Sequence, residues 1–176
     1  MENYSIQFVE RTKLLLERLE GKAHEEGLDV TFMLNTLLGL IVLCSEEGED
    51  VFTKNIDDEF IERVIPPNIK IVESTEISFT EDLDKVHEVK ISKRKFLKSK
   101  KQYWYIKNLR NGIAHQNIIT DSDGSRYWSH ITIQNKKKGK TGKINFEVRL
   151  SITELKNLAN TIADQYLAFK KRKSKK

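Results

Sequence analysis

Apolar and polar positions recur with a helical period at both ends of the chain and in its middle, and with a strand period on either side of residue 140. Over residues 4–20, Phe8, Thr12, Leu15, Leu16 and Leu19 fall on one stripe with Glu and Arg opposite, which predicts an amphipathic helix. A break at residues 21–27 separates it from a second helix over 30–44, capped by Asp29 and apolar nearly all round, as a helix at the centre of a bundle is. Asn35 is its polar exception and reads as a buried amide held by packing hydrogen bonds.

Residues 45–78 are acidic and irregular, and Pro66 with Pro67 excludes a helix interior there, so a long connection is expected. The carboxylates Asp57, Asp58, Glu59 and Glu62 have no spacing that specifies a metal or an acid/base pair and read as a solvated face. Thr80, Glu81 and Asp82 open another predicted helix. Residues 90–101 then carry seven Lys or Arg and no acid. Helical periodicity returns with Tyr103, Trp104, Ile106 and Leu109 and continues through Ile113 to His115.

Residues 120–125 are turn formers, after which Tyr127, Ser129, Ile131 and Ile133 alternate with Trp128, His130, Thr132 and Gln134. A basic turn over 136–143 leads to a second alternation of Ile144, Phe146, Val148 and Leu150 with Asn145, Glu147 and Arg149, giving a β-hairpin at about 127–150. Ser151 and Glu154 form a capping box for a last helix with Leu155, Leu158, Ile162, Ala163 and Tyr166 on its apolar face. The expected fold is mainly α, a helical bundle with a β-hairpin between the helix ending at His115 and the C-terminal helix. One domain over 1–169 and a disordered basic tail over 170–176 complete this expectation.

The chain has 176 residues, 38% of them hydrophobic, enough for one domain with a core. Its longest apolar run, 37–44, is far too short to span a bilayer. The opening Met-Glu-Asn-Tyr lacks the pattern of an export signal, so a cytoplasmic location is expected. Cys44 is the only cysteine, which excludes an internal disulfide and a thiolate zinc site and leaves a buried thiol as the expectation.

The net charge of +5 conceals an asymmetry: residues 1–89 carry 8 basic and 21 acidic side chains, and residues 90–176 carry 23 and 5. A basic half of this kind suits a polyanion, since Lys and Arg gain affinity by releasing phosphate counterions. Six of the positive charges lie in residues 170–176.

The sharpest chemical signal is LRNGIAH at residues 109–115, in which Arg110 and His115 are separated by four residues within a basic, aromatic neighbourhood. The segment resembles the arginine-to-histidine motif of the HEPN superfamily, helical-bundle proteins that are frequently metal-independent ribonucleases of toxin, antiviral and abortive-infection systems. The stretch TFMLNTLLGLIVLC, with the glutamates after it, is similar to the second helix of small plasmid-borne bacterial members. The resemblance covers roughly residues 6–118. Spacing alone is a loose criterion, because Arg18 and His24 also satisfy it, and the distinguishing features are Asn111 directly after Arg110 and the small Gly112 and Ala114 before His115.

The resemblance implies a metal-independent endoribonuclease without cofactor, acting as a homodimer in which two motif helices meet, with RNA as substrate and an antitoxin or defence-system partner as a further expectation. Arg110 would hold the phosphate, His115 would move the proton of the 2′-hydroxyl or of the leaving 5′-oxygen, and Asn111 would orient either. Products would end in a 2′,3′-cyclic phosphate and a 5′-hydroxyl, and DNA would survive. Lys107 and the basic stretch 90–101 are candidates for phosphate contacts, and Tyr103 and Trp104 for base stacking, with core or dimer packing as the alternative for both aromatics. Gly112 is expected to permit a local helix distortion.

Other readings stay open. Arg110 pairs with an acid and His115 caps the helix in a purely structural arrangement, or the chain is an inactive HEPN-like module that binds RNA or a partner, or it is a structural helical dimer with an adhesive tail. His87 and His130 have no second ligand at useful spacing. Where toxins controlled by a nucleotidyltransferase antitoxin carry a tyrosine two residues after the histidine, this chain has Asn117.

Overall fold

Three long helices make one layer of the protein: α1 (Glu2–Glu25), α2 (Asp29–Glu46) and, from the far end of the chain, α6 (Ile152–Lys173), which pack pairwise on one another. The computed structural model describes residues 2–46, 51–66, 69–71, 93–122, 128–136 and 144–175. The predicted helix opening at Thr80 lies outside the described residues.

Helix α1 runs unbroken through Gly21, where a break was expected, and stops at Glu25. Gly27 supplies the stop: at φ 71° it lets its own N–H reach the His24 carbonyl and the Leu28 N–H reach the Ala23 carbonyl, a Schellman ending. The buried stripe of α1 is Val9, Thr12 and Leu16, whereas Leu15 and Leu19 of the predicted stripe are exposed. Gly39 of α2 lies under Phe8, whose ring would come within 3.2 Å of a Cβ, so the two helices cross closely there. Met33, Leu37, Leu40, Ile41 and Cys44 place α2 in the core, but Asn35 is on its exposed side, so the expected buried amide is corrected.

The acidic connection contains a helix that its irregular composition concealed, α3 (Asp58–Val64). Asp57 caps it by accepting from the Phe60 N–H at 2.8 Å, and Phe60 and Val64, four residues apart, anchor it to the core. Ile65 and Pro66 end it. Residues 93–98 form α4, and its Arg94 and Lys98 turn onto Asp58 of α3, with Arg94 reaching Glu62 as well. Two of the basic side chains expected to contact phosphate are thus engaged with the acidic face.

The predicted hairpin is the centre of a four-stranded antiparallel sheet, in the order β1 (Lys70–Ile71), β4 (Ile144–Ser151), β3 (Trp128–Lys136), β2 (Ile118–Ser122). Ile131 pairs with Leu150, Ile133 with Val148 and Asn135 with Phe146, so the inward row of each strand is continuous across the hairpin. That row packs under α5 (Gln102–Ala114), with the Phe146 ring edge-on to Tyr105 at 5.7 Å and to Trp104 at 5.8 Å. The Ser151–Glu154 capping box opens α6 as expected. Its last turn contains Lys170, Lys171, Arg172 and Lys173, with Lys170 buried against the Tyr166 ring, so 170–173 are helix and not the expected tail. Among the described residues no helix is long and apolar enough to cross a membrane.

Candidate active site

Helix α5 carries the motif, and its burial pattern decides which motif side chains are available. Tyr105, Ile106, Asn108, Leu109, Gly112 and Ile113 face inward. Lys107, Arg110 and Ala114 are exposed and Tyr103 and Asn111 half-buried. Spaced by three and four, Tyr103, Lys107, Arg110 and Ala114 line one solvent stripe of the helix. The structure therefore brings together Arg110, Lys107 and Tyr103, whose ring lies 5.9 Å from the Lys107 Nζ. Trp104 lies off this stripe and is held edge-on between Phe96 at 5.9 Å and Phe146 at 5.8 Å, an arrangement that fits the packing alternative for this residue.

Gly112 acts differently from expectation. The helix is regular through it, and the glycine serves close approach: a Cβ would meet the Ile133 Cγ2 at 2.5 Å and the Gln134 carbonyl oxygen at 2.8 Å. Four residues earlier, Asn108 donates to the Trp104 carbonyl at 2.8 Å and accepts from the Asn135 carboxamide at 2.7 Å. Both asparagines are buried, so each needs the other to satisfy its polar atoms. Neither residue was expected to matter. Asn135 does fall on the same inward alternation as Ile131 and Ile133, where a polar side chain is a signal in itself.

The C-terminal end of α5 is locked by a second Schellman arrangement. His115 is the C-cap residue, Gln116 is left-handed at φ 54°, its N–H reaches the Ile113 carbonyl, and the Asn117 N–H reaches the Gly112 carbonyl. Gln116 is the only non-glycine residue with positive φ among those described. The Asn117 carbonyl then accepts from the Gln134 N–H at 2.9 Å, tying the cap to β3. His115 thus takes its place from three backbone bonds to rigid elements, and its imidazole stays exposed.

Among the described residues, the side chains of Arg110 and His115 have no acidic partner and make no hydrogen bond. Removing the ion pair expected of a structural Arg110 leaves a guanidinium and an imidazole facing solvent at the end of a well-anchored helix. Five residues of an ideal helix separate them by about 140° and about 7.5 Å along the axis, so they do not share one face of the helix. His130 sits apart on β3, its Nδ1 3.1 Å from the Ser129 hydroxyl. His24 of the second Arg/His spacing is 3.0 Å from Asp29 and closes the α1–α2 corner.

A family model described as HEPN pEK499 p136 matches residues 1–173. No curated protein and no solved structure matches the chain.

Proposed function

Since the chain belongs to the HEPN pEK499 p136 family, we propose that it is a metal-independent endoribonuclease whose catalytic groups are Arg110 and His115, with Asn111 as a positioning residue. The observation that carries this reading is the pair's availability: among the described residues, a cation with no acid beside it and an imidazole with no partner, both presented by a helix anchored at three points to β3. A folded protein gains little stability from an exposed, unpaired arginine, whereas a phosphate needs one.

RNA supplies its own nucleophile, so proton transfer and charge stabilisation suffice. An imidazole removes the 2′-hydroxyl proton, the 2′-oxygen attacks phosphorus, and the bond from phosphorus to the 5′-oxygen breaks as a second imidazole protonates the leaving oxygen. The chain ends in a 2′,3′-cyclic phosphate on one side and a 5′-hydroxyl on the other. The Arg110 guanidinium, with its fork of donors, binds the non-bridging oxygens as negative charge grows on them. Two imidazoles and two guanidinia meet in one cleft when two copies of α5 face each other, which also answers the 140° divergence within one chain. Lys107 and Tyr103, on the Arg110 stripe, are the side chains placed to hold the flanking backbone and an unpaired base. A role as a toxin or defence effector, held in check by a partner, fits such an activity.

Purified protein incubated with end-labelled RNA in excess EDTA, beside Arg110→Ala, His115→Ala and a matched DNA, tests the reading. Cleavage of RNA by the parent alone, with cyclic-phosphate ends, is expected. Equal cleavage by all three proteins removes the assignment, and no cleavage of varied RNAs moves the reading to a binding module.

A further inference from the structure

A second basic site lies at the opposite end of α5 from the motif. An open cavity of 440 Å3 is lined by Lys54, Gln102, Gln165, Lys171 and Arg172 and by no carboxylate among the described residues, although Asp57, Glu59 and Asp164 line the adjoining cavity that shares Lys54, Gln102 and Gln165. Gln102 is the first residue of α5, so the cavity sits about 12 Å along the helix axis from Arg110.

Its cations are available. Lys54 and Lys171 are exposed and pair with no acid among the described residues, and Arg172 uses only its Nε, on the Ala168 carbonyl at 3.3 Å, which leaves both terminal nitrogens of its fork. The cavity also has a polar floor. Gln102 is only 3% exposed, lines the cavity and has no side-chain hydrogen bond among the described residues. Gln165 lines it as well, and its Oε1 is buried without a hydrogen-bond partner among the described residues. An unsatisfied buried acceptor of this kind beside three cations is costly to maintain unless something satisfies it. The N-terminal end of α5 adds its positive dipole end on the same side.

We infer that this cavity binds a nucleoside phosphate, the phosphate held by Lys54, Lys171 and Arg172 and the base edge read by Gln102 and Gln165. A carboxamide matches the paired donor and acceptor of a base edge, and a cavity of this volume accommodates one nucleotide. The ligand is either a free nucleotide or the phosphorylated end of an RNA. The inference stands independently of cleavage at Arg110 and His115.

Titration calorimetry of the full chain with AMP, GMP, CMP and UMP, with inorganic phosphate, and with cleavage-resistant 2′-O-methyl oligonucleotides carrying a 5′-phosphate or a 5′-hydroxyl tests it. At least one mononucleotide or the 5′-phosphorylated oligonucleotide binds, and more tightly than inorganic phosphate. The exposed-residue variant Lys54→Ala/Lys171→Ala/Arg172→Ala weakens that binding about tenfold or more. Gln102→Leu, where it folds, weakens nucleotide binding and leaves phosphate binding alone. Preference for the mononucleotide identifies a free ligand, and preference for the 5′-phosphorylated oligonucleotide over its 5′-hydroxyl counterpart identifies an RNA end. Failure of every nucleotide to bind the folded parent, binding no tighter than inorganic phosphate, or equal binding by the triple variant overturns the inference.

Discussion

The carboxamides of Asn108 and Asn135 meet at 2.7 Å in the buried seam where α5 crosses β3, two residues before the exposed Arg110. Each amide satisfies the other, so truncating one strands a buried polar group. Asn108→Ala or Asn135→Ala is expected to destabilise by about 1–3 kcal/mol, and the double replacement by less than the sum. A double-mutant cycle from urea unfolding measures the coupling. Strict additivity would show that the contact contributes nothing of its own.

Gly112→Ala should be worse than an ordinary helix substitution, although alanine is the better helix former. The new methyl would come within 2.5 Å of the Ile133 side chain and 2.8 Å of a backbone oxygen of β3, and the oxygen cannot swing aside. A loss of about 1–3 kcal/mol is expected, with RNA cleavage reduced because α5 shifts on the sheet. An unchanged unfolding midpoint would contradict the close approach.

Gly21 offers the opposite case. It lies inside α1 with nothing within 4 Å of where a Cβ would go, so Gly21→Ala should stabilise by about 0.5–1 kcal/mol through the unfolded chain. Thermal and urea midpoints should both rise. A fall would mean that α1 does break there.

What could be read from the residues divides along a physical line. Capping at Ser151 and the alternation around Ile131 and Val148 are local, and the hairpin and the last helix follow from them. Helix α1 misled because a glycine in a helix costs only about 1 kcal/mol, too little to stop 24 residues packed on α2 and α6. Leu15 and Leu19 are indistinguishable by period from the buried Leu16, since the neighbouring helix selects the face. Helix α3 hid in an acidic stretch whose charges are balanced by Arg94 and Lys98, 30 to 40 residues away. The motif of Arg110 and His115 was legible as a pattern, but the roles of Gly112 and Asn108 depend on a strand that approaches them from later in the chain.

Asp58 links α3 to α4, and hydrogen bonds from Lys98 and Arg94 hold its carboxyl below the ordinary value. A group lowered on folding contributes stability above its unfolded value, near about pH 4, and loses it as pH falls through the folded value. Asp58→Asn should therefore unfold at lower urea than the parent near pH 7, with the gap closing as pH falls below the ordinary carboxylate range and narrowing in salt because the pair is exposed. A gap independent of pH would assign the loss to packing.

The central claim is that Arg110 and His115 form one site from two chains, and mixing inactive variants tests it most directly. Arg110→Ala and His115→Ala are each assayed with end-labelled RNA in excess EDTA, then combined under conditions that allow subunits to exchange. Each variant alone is expected to be inactive. In the mixture, a dimer with one chain of each kind pairs the remaining arginine of one chain with the remaining histidine of the other, and part of the parent's cleavage returns, the single imidazole taking the 2′-hydroxyl proton while water protonates the leaving 5′-oxygen in place of the missing second imidazole. Activity in either variant alone, or a mixture as inactive as its components although subunits have exchanged, would contradict a shared site.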